Sequence, residues 1–300
     1  EKISWICAIV YRMDQPEKNL KNKSQKIRFI CDFSPPKGSD PNLIKQAEQL
    51  STDYISIAYN PGKSVGANSA FTAYLIKKKF KKNVIFTLAT RDMNTLAIQS
   101  YLVGANLLSL NNVIVLRGDP LNQKEKDIMS EVHDISTTET ISSIKNLNSG
   151  KDFKNKSLKS KTDFRVGATV DLWKNFENEK KLTRSKIESG VDFLIFQPIF
   201  NPNLLIEFLT LYRKSYGEEI KIPLFIGLQM LEQNSLCFSK IPQWISNDLS
   251  NGRNGISISE EILENFISEG FTSIYLVPAI FKDGKRNYKA AKCILDKYNF

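Results

Sequence analysis

Residues 84–119 read VIFTLATRDMNTLAIQSYLVGANLLSLNNVIVLRGD, and this stretch decides the fold. Val84–Thr90 is a short run of β-branched, aromatic and other apolar residues, which predicts a buried strand; Asn112–Gly118 predicts another. Between them, Asn94–Leu110 has the length and apolar spacing of a helix. Strand, helix and buried strand make one parallel crossover unit. The unit repeats in both directions. Further strands are predicted at Ile27–Phe33, Tyr54–Tyr59, Phe164–Val170, Phe193–Ile199, Pro223–Met230 and Ser273–Ala279. Further helices are predicted at Pro41–Leu50, Asn68–Phe80, Phe176–Ser189, Pro202–Ser215, Ser259–Glu269 and Asn287–Tyr298. Eight strands with intervening helices in 300 residues predict a single-domain (β/α)8 barrel, a TIM barrel, over residues 27–300. Near-continuous apolar strands favour closure over an open, doubly wound sheet. Two connections are long. Pro120–Asp163 contains a predicted helix near Thr138–Leu147, and Leu231–Ser257 a short amphipathic piece, Pro242–Leu249. Connections of that length in a compact domain are usually functional.

Composition removes several classes of function. The chain is 41% hydrophobic and 25% charged, and no stretch approaches the roughly 20 apolar residues of a membrane helix. The single histidine, His133, excludes a multi-histidine metal site, and any histidine-based triad would have to run through it. It lies in the long fourth connection without a partner pattern, which predicts a surface residue. The four cysteines, Cys7, Cys31, Cys237 and Cys293, contain no C-x-x-C, so zinc ribbons and redox dithiols are excluded and no metal is expected. Scattered single thiols predict a reducing compartment, the cytosol.

The formal charge is +10. Basic runs occur at Lys77-Lys78-Lys79-Phe80-Lys81-Lys82 and across Lys151–Lys161. They read as solvated lysines at a helix end and in a loop, because no nucleic-acid recognition fold or aromatic-interleaved stripe accompanies them. Neither a nucleic-acid nor a membrane partner is expected, while an anionic small ligand fits the charge. Residues 1–26 are left as an unassigned N-terminal extension. Ile3–Val10 is too short to span a membrane and no small-residue cleavage site follows it. Met13 opens a polar, lysine-rich segment; a native start there would make residues 1–12 an upstream extension.

In a barrel, chemistry sits at the C-terminal ends of the strands. Strand one ends at Asp32, before Ser34-Pro35-Pro36-Lys37-Gly38. Strand two runs into Tyr59-Asn60-Pro61-Gly62-Lys63-Ser64. Strand three ends at Thr87 and Thr90, followed by Arg91-Asp92, and strand four at Arg117-Gly118-Asp119-Pro120. Strand five ends at Thr169 and Asp171, strand six at Gln197 and strand seven at Gln229. The opposite ends offer no comparable set. A carboxylate inside Phe29-Ile30-Cys31-Asp32-Phe33 is costly to bury unless it is paired or used. Gly62-Lys63-Ser64 is no Walker A loop, because the position of its first glycine is Ile57. A turn lending N–H groups and a lysine to an anion remains open there.

These ends resemble the methylenetetrahydrofolate reductase family, flavin-dependent (β/α)8 barrels, from about Ile27 to the C-terminus. The resemblance rests on Asp32-Phe33-Ser34-Pro35-Pro36-Lys37, Ile55–Tyr59, Thr87–Asn94, Leu116-Arg117-Gly118-Asp119-Pro120, Lys186–Phe193 and Gln197-Pro198-Ile199-Phe200. It implies FAD across the barrel mouth, contacted by Arg117, Gly118 and Asp119, with Ala58, Thr87, Thr169 and Lys186 at other flavin-contacting positions. It implies reduction of 5,10-methylenetetrahydrofolate to 5-methyltetrahydrofolate, with electrons from NADH, NADPH or a partner protein. It further implies that Asp32 takes the general-acid position, that Asp119 stabilises the folate cation, and that Gln197 and Gln229 bind the folate. A homo-oligomer is compatible with this reading. The chain departs from the family pattern in carrying Asp32 for a glutamate, Thr87 for a histidine and Ala58 for a threonine. Thr169–Trp173 also replaces an aromatic-histidine segment. The alternative function is a folate-binding or one-carbon-transfer barrel without flavin chemistry.

Overall fold

In the computed structural model, residues 26–298 are described, residue 238 excepted. The unassigned N-terminal segment, with Cys7 and Met13, lies outside these residues apart from Lys26. Eight parallel strands close into a barrel in chain order. They are β1 Arg28–Phe33, β2 Tyr54–Ile57, β3 Val84–Ala89, β4 Asn112–Leu116, β5 Arg165–Val170, β6 Phe193–Phe196, β7 Leu224–Gln229 and β8 Ser273–Val277. Closure is made by β1, whose Asp32 stands opposite Ser56 of β2 and whose Cys31 stands opposite Leu276 of β8. The single-domain TIM barrel expected from the sequence is the fold observed. At the mouth the strands stop one to three residues short of most of the expected ends, where strand pairing gives way to loops.

The helices are α1 Ser69–Phe80, α2 Thr95–Leu107, α3 Gln123–Lys126, α4 Thr137–Asn148, α5 Phe176–Glu188, α6 Pro202–Tyr216, α7 Gln243–Ser250, α8 Gly255–Ser268 and α9 Tyr288–Tyr298. Asparagine or serine side chains cap the first turns of most of them. Examples are Asn68 on α1, Asn94 on α2, and Ser136 on α4, where Glu139 completes a capping box. The expected helix at Pro41–Leu50 is instead a 3₁₀ segment, Pro41–Ala47. Its buried residues are Ile44 and Ala47, three apart, with Leu50 next, a spacing that suits three residues per turn. Helix α8 begins four residues before the expected start, at Gly255. A β-carbon there would lie 2.0 Å from the Leu231 carbonyl oxygen, so only glycine admits this approach.

Alternation along each strand sorts the core into two regions. Phe29, Cys31, Phe33, Phe86, Leu88, Val113, Val115 and Phe196 pack outward beneath the helices. Ile30, Ile85, Ile114, Phe193, Ile195 and Phe225 fill the barrel itself, with Tyr54 and Tyr275 against them. Phe193 occupies the space a side chain at Gly167 would need: a β-carbon there would sit 2.3 Å from its ring. Burying each of these large side chains is worth about 1.5–3 kcal/mol. The interior is therefore a solid plug, and any site has to lie above it.

Candidate active site at the barrel mouth

Two residues beyond the plug, the inward positions become polar on six of the eight strands; on β4 and β8 they are Leu116 and Val277. Asp32 follows Ile30, Ser56 follows Tyr54, Thr87 follows Ile85, Thr169 follows Gly167 and Gln197 follows Ile195, while Gln229 follows Gly227. The strand period of two puts each on the inner face at the C-terminal end of the barrel. Asp32, Ser56, Thr87 and Gln229 are buried, whereas Gln197 is exposed.

Asp32 is the most constrained member. The Tyr275 hydroxyl on β8 donates to its Oδ1 at 2.7 Å, and the guanidinium of Arg286 pairs with its Oδ2. The Arg286 and Asp32 side chains are only 5% and 7% exposed. Arg286 Nε also donates to Ser34 Oγ. Nearby, the Ser34 amide donates to the Tyr288 hydroxyl at 2.9 Å, and Tyr288 stacks on Phe33 with centroids 4.9 Å apart. Burial first, then the Asp32 charge, pushes the Tyr275 phenol well above its ordinary value, so it stays a hydrogen-bond donor to the carboxylate. Both Asp32 oxygens are thus engaged. Sequence reading missed Arg286 and Tyr275: Tyr275 lies in the middle of β8 and Arg286 nine residues beyond its end, so neither stands among the strand-end residues.

The rim after β4 is held from β3. Arg91 is buried and grips Asp92 through Nε and Nη2 at 2.6 and 2.7 Å. Its Nη1 donates to the Asp119 carbonyl at 2.7 Å, and its amide to the Arg117 carbonyl at 3.0 Å. Gly118, at φ +89°, lies so close that a β-carbon would be 3.2 Å from Arg91 Cβ. The side chains of Arg117 and Asp119 stay exposed at the mouth. Ala58 is half-buried at the end of β2, its amide bonded to the Phe33 carbonyl.

Lys186 and Thr169 are brought together, but through the backbone. Lys186 Nζ donates to the Thr169 carbonyl at 2.6 Å and to Glu179 at 3.4 Å, both ionic side chains being 5% exposed. Burial holds the Lys186 ammonium below its usual value, against the pull of Glu179. Gln229 Nε2 donates to the Leu236 carbonyl at 2.8 Å, and its buried Oε1 has no partner. The β7 and β8 loops are joined by short bridges from Leu236 to Ile280 and from Ile280 to Arg286. These link the neighbourhood of Gln229 to that of Asp32.

Other motifs resolve structurally. Lys63 pairs with Glu125 at 2.7 Å and donates to the Pro120 carbonyl at 3.1 Å, tying the β2 loop to the β4 connection. His133 is 58% exposed beside Glu131, a surface residue as expected. Among the described residues no group of three or more His, Cys, Asp and Glu side chains is placed to hold a metal ion. No helix among them is long and apolar enough to cross a membrane.

Comparison with known proteins places this site in context. None of the curated proteins matches the sequence. Among solved structures, similarity extends to an uncharacterised protein from Clostridium thermocellum described as binding two copies of 5-methyl-5,6,7,8-tetrahydrofolic acid. The match has a TM-score of 0.62 at 13% identity, covering 91% of this chain and 94% of that one. At that identity the likeness establishes the shared barrel. The model of the methylenetetrahydrofolate reductase family matches residues 17–277, spanning all eight strands and the polar mouth. The chain belongs to the methylenetetrahydrofolate reductase family.

Proposed function

We propose that this barrel reduces 5,10-methylenetetrahydrofolate to 5-methyltetrahydrofolate in a flavin-dependent reaction, in the cytosol, supplying methyl groups for methionine synthesis. The observation that carries the reading is the polar layer above an apolar plug, in a chain of this family. Asp32, Thr87, Thr169, Gln197 and Gln229 reach that layer from separate strands. The unpartnered Gln229 Oε1 calls for an N–H donor, which the amino-pterin ring of a folate offers. The Clostridium thermocellum protein's described ligand supports the same ligand class.

Ala58, Thr87, Arg117, Gly118, Asp119, Thr169 and Lys186 are the residues that would hold FAD. The exposed Arg117 suits a diphosphate, and the threonine hydroxyls suit the polar edge of a ring. Bound there, FAD would supply the hydride chemistry for the one-carbon unit, with electrons drawn from NADH, NADPH or a partner protein. Asp119 contributes a negative charge that stabilises the folate iminium cation. Asp32 is the acid-position residue. With both oxygens engaged by Tyr275 and Arg286, it acts by ordering a water that carries the proton, rather than by direct contact.

A second reading, a folate-binding or one-carbon-transfer barrel without flavin, is favoured by one set of contacts. Asp32 is already paired, Lys186 is bonded internally, and Arg91 fills the space beside Gly118. The absorbance spectrum of purified protein, followed by anaerobic mixing of its reduced form with methylenetetrahydrofolate, separates the two. Bound flavin that is reoxidised supports the reductase. Colourless protein that cannot be reconstituted with FAD but binds tetrahydrofolate tightly supports the second reading.

A further inference from the structure

We infer that the underside of the barrel, the end opposite the mouth, docks on an anionic phospholipid surface. Strands start and helices finish at this end. The chain enters β1 there behind Lys26, and α1 ends there in Lys77, Lys78 and Lys79, followed by Lys81 and Lys82. The connection into β5 brings Lys159, Lys161 and Arg165 to the same end. Far apart in sequence, the two basic runs meet across the end of α2. Lys77 Nζ donates to the Ser109 carbonyl. Asn106 and Asn111 both donate at 2.7 Å to Asp163, which follows Lys161 closely in the chain. Lys154 and Lys156 do not belong to this surface, because their hairpin folds back along α2, where the Phe153 amide reaches Gln99.

The positive charge here is not neutralised. Elsewhere at this end bases pair with acids: Lys145 with Asp192, Arg184 with Glu188 and Glu218, Arg213 with Glu219, and Lys297 with Glu260. None of the bases named above forms an ion pair among the described residues. The carboxylates in their sector are Glu48, Asp53, Asp163 and Glu269, and Asp53 and Asp163 already accept hydrogen bonds from N–H groups. A net positive field remains over this part of the underside.

Three features select a lipid surface over a nucleic acid. All of these bases but Arg165 are lysines, point charges without the planar fork with which arginine reads phosphates and bases. Leu107, 82% exposed in the last turn of α2, stands between the two runs. A leucine gains nothing from a phosphate backbone, whereas it can enter the acyl boundary of a bilayer. Residues 1–25 join the barrel at this end, and their sequence holds an apolar run, Ile3–Val10, and Lys18, Lys21 and Lys23 against Asp14 and Glu17. Lysines beside apolar residues are the composition that anionic membranes attract. Docked in this way, the barrel keeps its mouth turned away from the lipid and open to its ligands.

Co-sedimentation of the full chain with phosphatidylcholine vesicles, with and without about one-third phosphatidylglycerol, tests this. Binding to the anionic vesicles should exceed binding to the neutral ones at least about tenfold, and should fall steeply as salt is raised. The triple variant Lys78→Glu, Lys81→Glu and Lys161→Glu should weaken it at least about tenfold. Its far-UV circular dichroism should be unchanged, because all three side chains are exposed. Leu107→Asp should weaken binding as well. Reversing two exposed charges on the mouth side, Lys174→Glu with Lys282→Glu, should leave it within about twofold of wild type. Absence of binding, equal binding to neutral and anionic vesicles, binding that survives the triple variant, or preference for single-stranded RNA over anionic vesicles at the same salt overturns the inference.

Discussion

The Tyr275 hydroxyl on β8 donates a 2.7 Å hydrogen bond to Asp32 Oδ1 on β1, 243 positions earlier in the chain. Strand closure makes them neighbours, since β1 pairs with β8 as well as β2. With the phenol pushed well above its ordinary value, the proton stays on tyrosine at every pH where the protein works. Tyr275→Phe keeps the ring against the plug and removes only the donor. Stability should fall by about 1.5–3 kcal/mol, the range for a hydrogen bond to a charged group. Urea denaturation measures this, and the proposed flavin reoxidation by methylenetetrahydrofolate should slow roughly tenfold.

Arg286 and Asp32 are both buried, so removing one leaves the other charge without its partner. Asp32→Asn should destabilise the chain by roughly 3–5 kcal/mol. Replacing both, as Asp32→Asn with Arg286→Met, should recover part of that loss. A double-mutant cycle in urea reads the coupling directly; strictly additive losses would show that the pair does not act as a unit.

Gly118 occupies a left-handed conformation at φ +89°, packed against Arg91. Gly118→Ala should cost about 1–2 kcal/mol from the backbone alone. It should also shift the Arg117–Asp119 rim. In the proposed reductase the flavin-to-chain ratio of purified protein should drop more than thermal stability does.

Asp134 and Glu139 are held below their ordinary values of 3.8 and 4.5, chiefly by side-chain hydrogen bonds from Thr95 and Ser136 respectively. Groups lowered in the folded state bind fewer protons there than in the unfolded chain. Their stabilisation is complete above about pH 4.5 and is lost as the pH falls through the lowered values. Thermal melts in steps from pH 6 to pH 3 should show this acid-side decline. The Asp134→Asn variant should show a shallower one.

Much of this was legible from residue pattern. The eight strands announced themselves through apolar runs such as Val84–Ala89, and the polar ends of seven of them marked the mouth. The 3₁₀ geometry of Pro41–Ala47 was not, because Pro41 and a capping Asp40 begin either kind of helix and only the buried spacing of Ile44, Ala47 and Leu50 separates them. Arg286 was hidden for a different reason. It follows β8 in a polar loop, Lys285-Arg286-Asn287, that reads as solvent-exposed, and only closure of the barrel carries its guanidinium to Asp32. Lys186 shows the converse: its place in the sequence matched a ligand contact, while burial directed its ammonium to the Thr169 carbonyl and Glu179.

The phenylalanine wedged against Gly167 turns the barrel into a blind well. Nothing can cross from one end to the other, so molecules reach the polar layer and leave it through the same opening. Two reactants that need the same floor must queue, the first departing before the second descends. In the proposed reductase the order of events is thus set by the packing of the apolar ring directly beneath the polar layer.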